Sequence, residues 1–388
     1  MSKQLLFIPG PVTVAEPVLA AMGKPMIDHR GPEFKVLLES IARKLKPVFG
    51  TSGDVLLLGS SGTGGLEAAM TNMFGAGEKV LCCPVGVFGE RFAEIARTWG
   101  IDVEILPTTW GHGVDARALE ARLAADTKRE IKGVILTHNE TSTGVQNVMG
   151  ALADAIRAHG AYVLVDSVSG LAASEFAMDA WGFDVVVAAS QKALGVPPGL
   201  SMVAVSPRAW EKMARANAPR YYFDLRKGRE FAAIGQTPAT PPVAQCFALD
   251  VALDRYAETG PAAVWARHDR YTRAIVAAAE TMGLELFAQP GVRSVTVTAI
   301  CVPAGIDGDV VRKAMRVERG FVLGGGQARL AGKIIRIGTM GDISQTDVLE
   351  MLGALEMELL AAGLNIAAGT GVQAALRVFL EAGQPVPA

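Results

Sequence analysis

The sequence predicts an α/β fold in two domains: a larger one on a mostly parallel, mixed sheet flanked by helices, and a smaller C-terminal α+β one. Three observations carry this. A chain of 388 residues, 50% hydrophobic, exceeds one ordinary domain at roughly 100–200 residues each and has ample apolar material for a core. From Gly53 to about Pro207, short apolar runs alternate with helix-like segments, the pattern of strands buried on both faces and joined by helical crossovers. After Pro207 the pattern changes to long helices and then to an alternating strand.

In order, residues 55–58 read as a strand, 63–74 as a helix, 79–84 as a strand and 89–98 as a helix. A strand at 103–107 and a helix at 115–124 follow. The apolar, β-branched runs 133–137, 162–165, 184–188 and 200–205 continue the sheet. Residues 236–242 are a Pro/Thr-rich loop that is not regular structure. Helices are expected over 243–258 and 262–282, a half-buried strand over 292–302, a helix over 309–319, a strand over 333–337 and a helix over 345–362. The domain boundary falls near 259–262. It leaves a large domain at 13–260, a small one at 261–388, and residues 1–12 as an arm packing near the active site.

Composition excludes several function classes. Lys and Arg total 37 against 39 Asp and Glu, a net charge of −2, so neither nucleic acid nor an acidic membrane surface is an expected partner. No run approaches the roughly 20 apolar residues of a membrane span. The opening MSKQLLFIPGP is too short in apolar character for a signal peptide, and the closing QPVPA carries no lipidation or peroxisomal signal. Cys82, Cys83, Cys246 and Cys301 have neither C-x-x-C nor zinc spacing. They read as buried reduced thiols, no metal is expected, and the expected location is cytoplasmic.

Three constellations carry chemistry. Gly59-Ser60-Ser61-Gly62-Thr63-Gly64-Gly65 lies between a strand and a helix. Small residues there expose backbone N–H groups at a helix start, and Ser61 and Thr63 add hydroxyls, so the natural guest is a phosphate. The spacing is neither a dinucleotide fingerprint nor a P-loop, and an ordinary structural turn reads the same way. Asp166 directly follows the apolar run 163–165, at the sheet edge where α/β enzymes hold ligands, although a helix cap has the same signature. Lys192 emerges from the run 185–189 into a Gly/Pro-rich turn with few charges nearby. Desolvation there turns an amine into a nucleophile, whereas a solvated turn lysine is the plainer alternative. Anion cradle, acid and lysine, in that order with the lysine 26 positions after the acid, are the parts of a pyridoxal-phosphate site.

The chain then resembles the class V aminotransferases of fold-type I, specifically the alanine–glyoxylate/serine–pyruvate group. The residues are PGPV at 9–12, HRGPEF at 29–34, SSGTGGLEA at 60–68, THNETSTG at 137–144, VDSVSG at 165–170, SQKALGVPPG at 190–199 and IIRIGTMG at 334–341. The resemblance implies a fold-type I transferase, pyridoxal 5′-phosphate as cofactor and a homodimer with shared active sites. It implies Lys192 as the Schiff-base lysine and proton carrier, and Asp166 as partner of the pyridinium nitrogen. Ser61, Gly62 and Thr63, with Gln191 beside them, match the phosphate cradle. Phe88 matches a ring stacked on the cofactor, with plain core packing as its alternative, and Val168 the residue on the other ring face. Thr141 matches the hydroxyl bonded to the ring oxygen. Arg336, together with Gly10, matches the substrate site, and a two-donor fork suits a carboxylate. For Arg336 a strand-end surface arginine is the alternative.

One region departs from the family pattern. Relatives carry an aromatic/His-rich run where this chain has Thr237-Pro238-Ala239-Thr240. In the family this loop reaches the partner subunit's phosphate, with Thr240 as donor here, and the missing aromatic at Thr237 bears on the amino acceptor. GPAAVWARH at 260–268 and GKIIRIG at 332–338 also resemble pyridoxamine–pyruvate aminotransferases. The expected activity is ping-pong transamination between alanine or serine and glyoxylate or pyruvate. The alternatives are a pyridoxamine–pyruvate type enzyme or another class V enzyme such as a lyase. A cysteine desulfurase needs a cysteine on a mobile loop, and the four cysteines lie in predicted strands and a helix. A non-catalytic scaffold subunit has no reason to keep Lys192, Asp166 and Arg336.

Overall fold

A computed structural model describes residues 4–381. The QPVPA terminus and the first three residues of the expected arm lie outside the described residues. The large sheet has seven strands in the order Asp54–Leu58, Ser201–Val205, Val185–Ala189, Tyr162–Asp166, Ile131–Thr137, Lys79–Cys82, Asp102–Ile105. Ser201–Val205 runs antiparallel to both neighbours, and the other pairings are parallel. Val185–Ala189 and Ser201–Val205 are buried at every position, because helices cover both faces of the sheet. The period of two divides them. Val186 and Ala188 join one core with Val163 and Val165, while Val185 and Val187 join the other with Leu164. Full burial stabilises by about 1.5–3 kcal/mol for each Val or Leu.

Helices begin where the sequence supplies caps. The Asp115 side chain accepts from Arg117 N at the start of Ala116–Ala124, and Ser344 and Asp347 form a capping box on Gln345–Ala361. Pro32 opens Pro32–Phe49, a helix absent from the sequence reading. Its Phe34, Leu37, Leu38, Ile41 and Leu45 recur at helical spacing and are buried. The long helices Val243–Thr259 and Pro261–Thr281 meet at Gly260.

A second sheet has the order Leu5–Phe7, Phe321–Gly325, Ile334–Gly338, Val297–Cys301. Phe7, Leu323, Ile335, Ile337 and Ile300 form its core. The expected strand over 292–302 shortens to Val297–Cys301. The Ser294 hydroxyl oxygen accepts from Thr296 N at 3.0 Å and Val297 N at 3.2 Å, a local turn that displaces the ladder. Leu5–Phe7 pairs in parallel with Phe321–Gly325, so the N-terminal segment is an edge strand of this sheet before it crosses to the large one. Among the described residues no helix is long and apolar enough to cross a membrane. The four cysteines are free, three buried and Cys301 partly exposed.

Candidate active site

Parallel strands deliver their carboxyl ends to one edge of the large sheet, and the polar residues that follow them meet there. Ser61, Gly62, Thr63, Phe88, Thr141, Asp166, Val168, Gln191 and Lys192 line a single cavity of about 120 Å³. Ser61 directly precedes the helix Gly62–Met73 and makes no side-chain cap bond, so its hydroxyl and the first N–H groups of that helix are available to an anion. A Cβ at Gly62 would lie 2.7 Å from Val168 Cγ2, so only glycine lets the helix start pack this closely on Val168. The Gln191 Oε1 atom is buried in the same cavity without a partner.

Asp166 ends its strand at 4% exposure, and its Oδ1 accepts from Val168 N at 2.9 Å. Burial pushes its carboxyl up to about 7, with the Glu140 charge adding, against the Val168 N–H, Lys192 and Arg91. Lys192, at 9% exposure, donates from Nζ to the Pro9 carbonyl. Burial lowers its amine to about 8, with Arg336 adding and Asp166 opposing. The lysine therefore has both an acid and an arginine acting on it, where the sequence reading expects few charges. Gly10, at φ +119°, sits against it: a Cβ there would be 2.8 Å from Nζ.

Arg336 lies mid-strand in the small sheet at 7% exposure, not at a surface strand end. Its Nε donates to Gly325 O at 2.7 Å, and its Nη1 to Thr141 O at 2.9 Å and to Gln327 Oε1 at 3.4 Å. Among the described residues it has no ion-pair partner within 4.0 Å, and burial lowers it to about 10. The guanidinium is held by neutral acceptors and keeps its charge available for a carboxylate.

Thr240 is not brought into this cavity. It is exposed and lines a separate depression with Gly59 and Tyr222, while Thr237 turns inward to donate to Ala239 O. Four lining residues were missed by sequence reasoning: Leu66, Arg91, Asn139 and Ser169. The Arg91 guanidinium lies 4.7 Å over the Phe88 ring, and the Phe88–Arg91 spacing of one helical turn is the signal for it. Asn139 Nδ2 donates to Ser169 Oγ and Thr296 Oγ1, the Ser169 hydroxyl also accepts from Thr141 Oγ1, and Asn139 Oδ1 is left without a partner.

The family model for aminotransferase class-V matches residues 18–334. The chain belongs to the class-V aminotransferases. This aminotransferase is 41% identical over 379 residues to a soluble hydrogenase 42 kDa subunit of Anabaena cylindrica, covering 97% of this chain and 99% of that one. It is 38% identical over 378 residues to the L-aspartate–glyoxylate aminotransferase of Paracoccus denitrificans, covering 96% of each. Among solved structures, the pyridoxamine–pyruvate aminotransferase of Mesorhizobium loti superposes on it with a TM-score of 0.93 at 32% identity, covering 98% of each chain.

Proposed function

We propose that this aminotransferase uses pyridoxal 5′-phosphate to move an amino group from a small amino acid, alanine or serine, to glyoxylate or pyruvate. The observation that carries this is one amine, Lys192, lowered to about 8 between a buried acid and a buried arginine that has no carboxylate of its own. The residues fit the cofactor: the first N–H groups of the helix at Gly62 are free of side-chain caps, and Asn139 Oδ1 is a buried acceptor still lacking a donor. Pyridoxal phosphate bound here supplies a ring that takes up the electron pair of the substrate's Cα–H bond.

The protein's own groups do the rest. Ser61, Thr63 and the helix start hold the phosphate. The Asp166 carboxylate holds the proton on the ring nitrogen, and Phe88 and Val168 confine the ring faces. Lys192, whose amine desolvation brings down to about 8, takes the proton from the substrate's Cα in its neutral form and returns it one position away. Arg336 orients the substrate carboxylate. One carboxylate site for both substrates supports ping-pong kinetics.

We also assign the chain to a homodimer whose Gln236–Thr240 loops reach the partner's phosphate, consistent with Thr240 lying outside its own cavity. The two sheets support the division at 260/261, and free thiols suit the cytoplasm. The test is a panel of alanine, serine and aspartate as donors to pyruvate, glyoxylate and 2-oxoglutarate. Turnover with a small donor and acceptor is expected. No turnover with any pair by the cofactor-loaded protein overturns the reading.

A further inference from the structure

Glu140 is 0% exposed, and none of the roles above accounts for it. Its Oε2 accepts from Phe88 N at 3.1 Å and Gly89 N at 3.0 Å. Its Oε1 accepts from Ser142 N at 3.0 Å and Ser142 Oγ at 2.6 Å. All four partners donate, so both oxygens are committed as acceptors: burial raises the carboxyl above its ordinary range, and the hydrogen bonds from Ser142, Gly89 and Phe88 work against that in favour of the carboxylate. No cation lies within ion-pair distance of it among the described residues. Its charge instead acts on two groups of the active site, raising Asp166 and Arg336 alike. The chain makes room for it at Gly86, where a Cβ would lie 2.5 Å from Glu140 Cγ. Gly86 has an extended φ of 169°, so space and not backbone conformation requires glycine. The next residue, Thr141, gives its carbonyl to Arg336.

We infer that Glu140 is a positioning residue with two actions: its hydrogen bonds fix the helix start that carries Phe88, and its negative charge tempers Arg336 and favours protonation at the cofactor ring. The inference rests on the proposed cofactor and substrate sites. Its position explains the pairing of actions, since residues 140 and 141 join the Phe88 helix on one side to the arginine fork on the other.

The two actions separate in two variants of the pyridoxal-phosphate-loaded protein. Glu140→Gln removes the charge and offers an amide to backbone donors. Gly86→Ala keeps the charge and displaces the carboxylate. The first readout is the pH midpoint of the near-visible cofactor band. A nearby negative charge favours a protonated form, so Glu140→Gln should move the midpoint to lower pH and Gly86→Ala should leave it in place. The other groups facing this region, Asp166, Lys192, Arg91, Arg336 and the buried neutral His138, are common to both. The second readout is acetate, an unreactive carboxylate titrated against the band. Its Kd should fall about threefold in Glu140→Gln, because Arg336 loses a competing charge, while kcat falls at least about tenfold in both variants. A merely structural Glu140 loosens acetate binding along with kcat.

An unmoved midpoint with unchanged or weaker acetate binding in Glu140→Gln overturns the inference. If that variant does not fold, parental kcat in Gly86→Ala does the same. A protein whose band responds as expected but which transaminates no substrate pair overturns the proposed reaction and leaves the role of Glu140 standing. A protein that takes up no pyridoxal phosphate overturns both.

Discussion

Arg336 Nη1 donates to the main-chain oxygen of Thr141 at 2.9 Å, joining two residues 195 positions apart. The bond holds a guanidinium from the small sheet against the loop that follows a central strand of the large one. With Nε fixed on Gly325 O, the plane of the fork is set before any substrate arrives.

Arg336→Ala should therefore lower kcat/KM for amino donor and 2-oxo acid alike by at least about a hundredfold, since a charged hydrogen bond is worth about 1.5–3 kcal/mol and two are lost. The near-visible cofactor band without substrate should remain. Arg336→Lys should recover part of the activity, because a point charge lacks the planar fork. Steady-state kinetics of both half-reactions checks this, and loss in only one of them contradicts a shared carboxylate site.

Lys192 also predicts a pH dependence. Its amine is lowered to about 8, chiefly by burial. The neutral, nucleophilic fraction grows as pH rises through that value. Capture of pyridoxal phosphate by the apo-protein should accelerate about tenfold per pH unit below the break and level off above it, whereas an ordinary lysine keeps climbing past about 10. Arg336→Ala removes a charge that lowers the amine, so the break should move to higher pH in stopped-flow absorbance.

Much of this site was legible in the chain. Asp166 and Lys192 each end or follow an apolar run whose burial on both faces is visible as hydrophobic continuity, and Gly62 follows the shorter apolar run of the edge strand Asp54–Leu58; a strand end is a position that local sequence specifies. The pairing of Leu5–Phe7 with Phe321–Gly325 was not legible, because three residues carry no periodicity and their partner is remote. Ser294 reads as an unremarkable member of an alternating run until its hydroxyl is seen to accept two backbone N–H groups. Asn139 lay inside the quoted THNETSTG run, and Arg91 lay one helical turn after Phe88. That their side chains line the cavity depends on helix rotation and on the Ser169–Thr296 network, which no single segment encodes.

Asp166→Ala should leave a folded protein that still binds cofactor but abstracts the Cα proton orders of magnitude more slowly, because the ring nitrogen loses the anion that keeps it protonated. Single-turnover absorbance with alanine measures the step. A near-parental rate excludes Asp166 from this role.

Gly10→Ala tests the crossing of the N-terminal segment over the lysine. The new Cβ would stand 2.8 Å from Lys192 Nζ at a φ of +119°, so the side chain or the segment must yield. A loss of kcat of at least about tenfold with little change in melting temperature is expected, and a parental kcat shows that the contact is dispensable.

The central claim is that Lys192 is the residue that holds the cofactor and moves the proton. Borohydride reduction of the loaded protein followed by peptide mass mapping tests it most directly. The account predicts one pyridoxyl-phosphate mass addition per chain, on the peptide containing Lys192, and neither the addition nor the near-visible band in Lys192→Ala. An addition on a different lysine, or a Lys192→Ala protein that keeps the band and turns over, contradicts it.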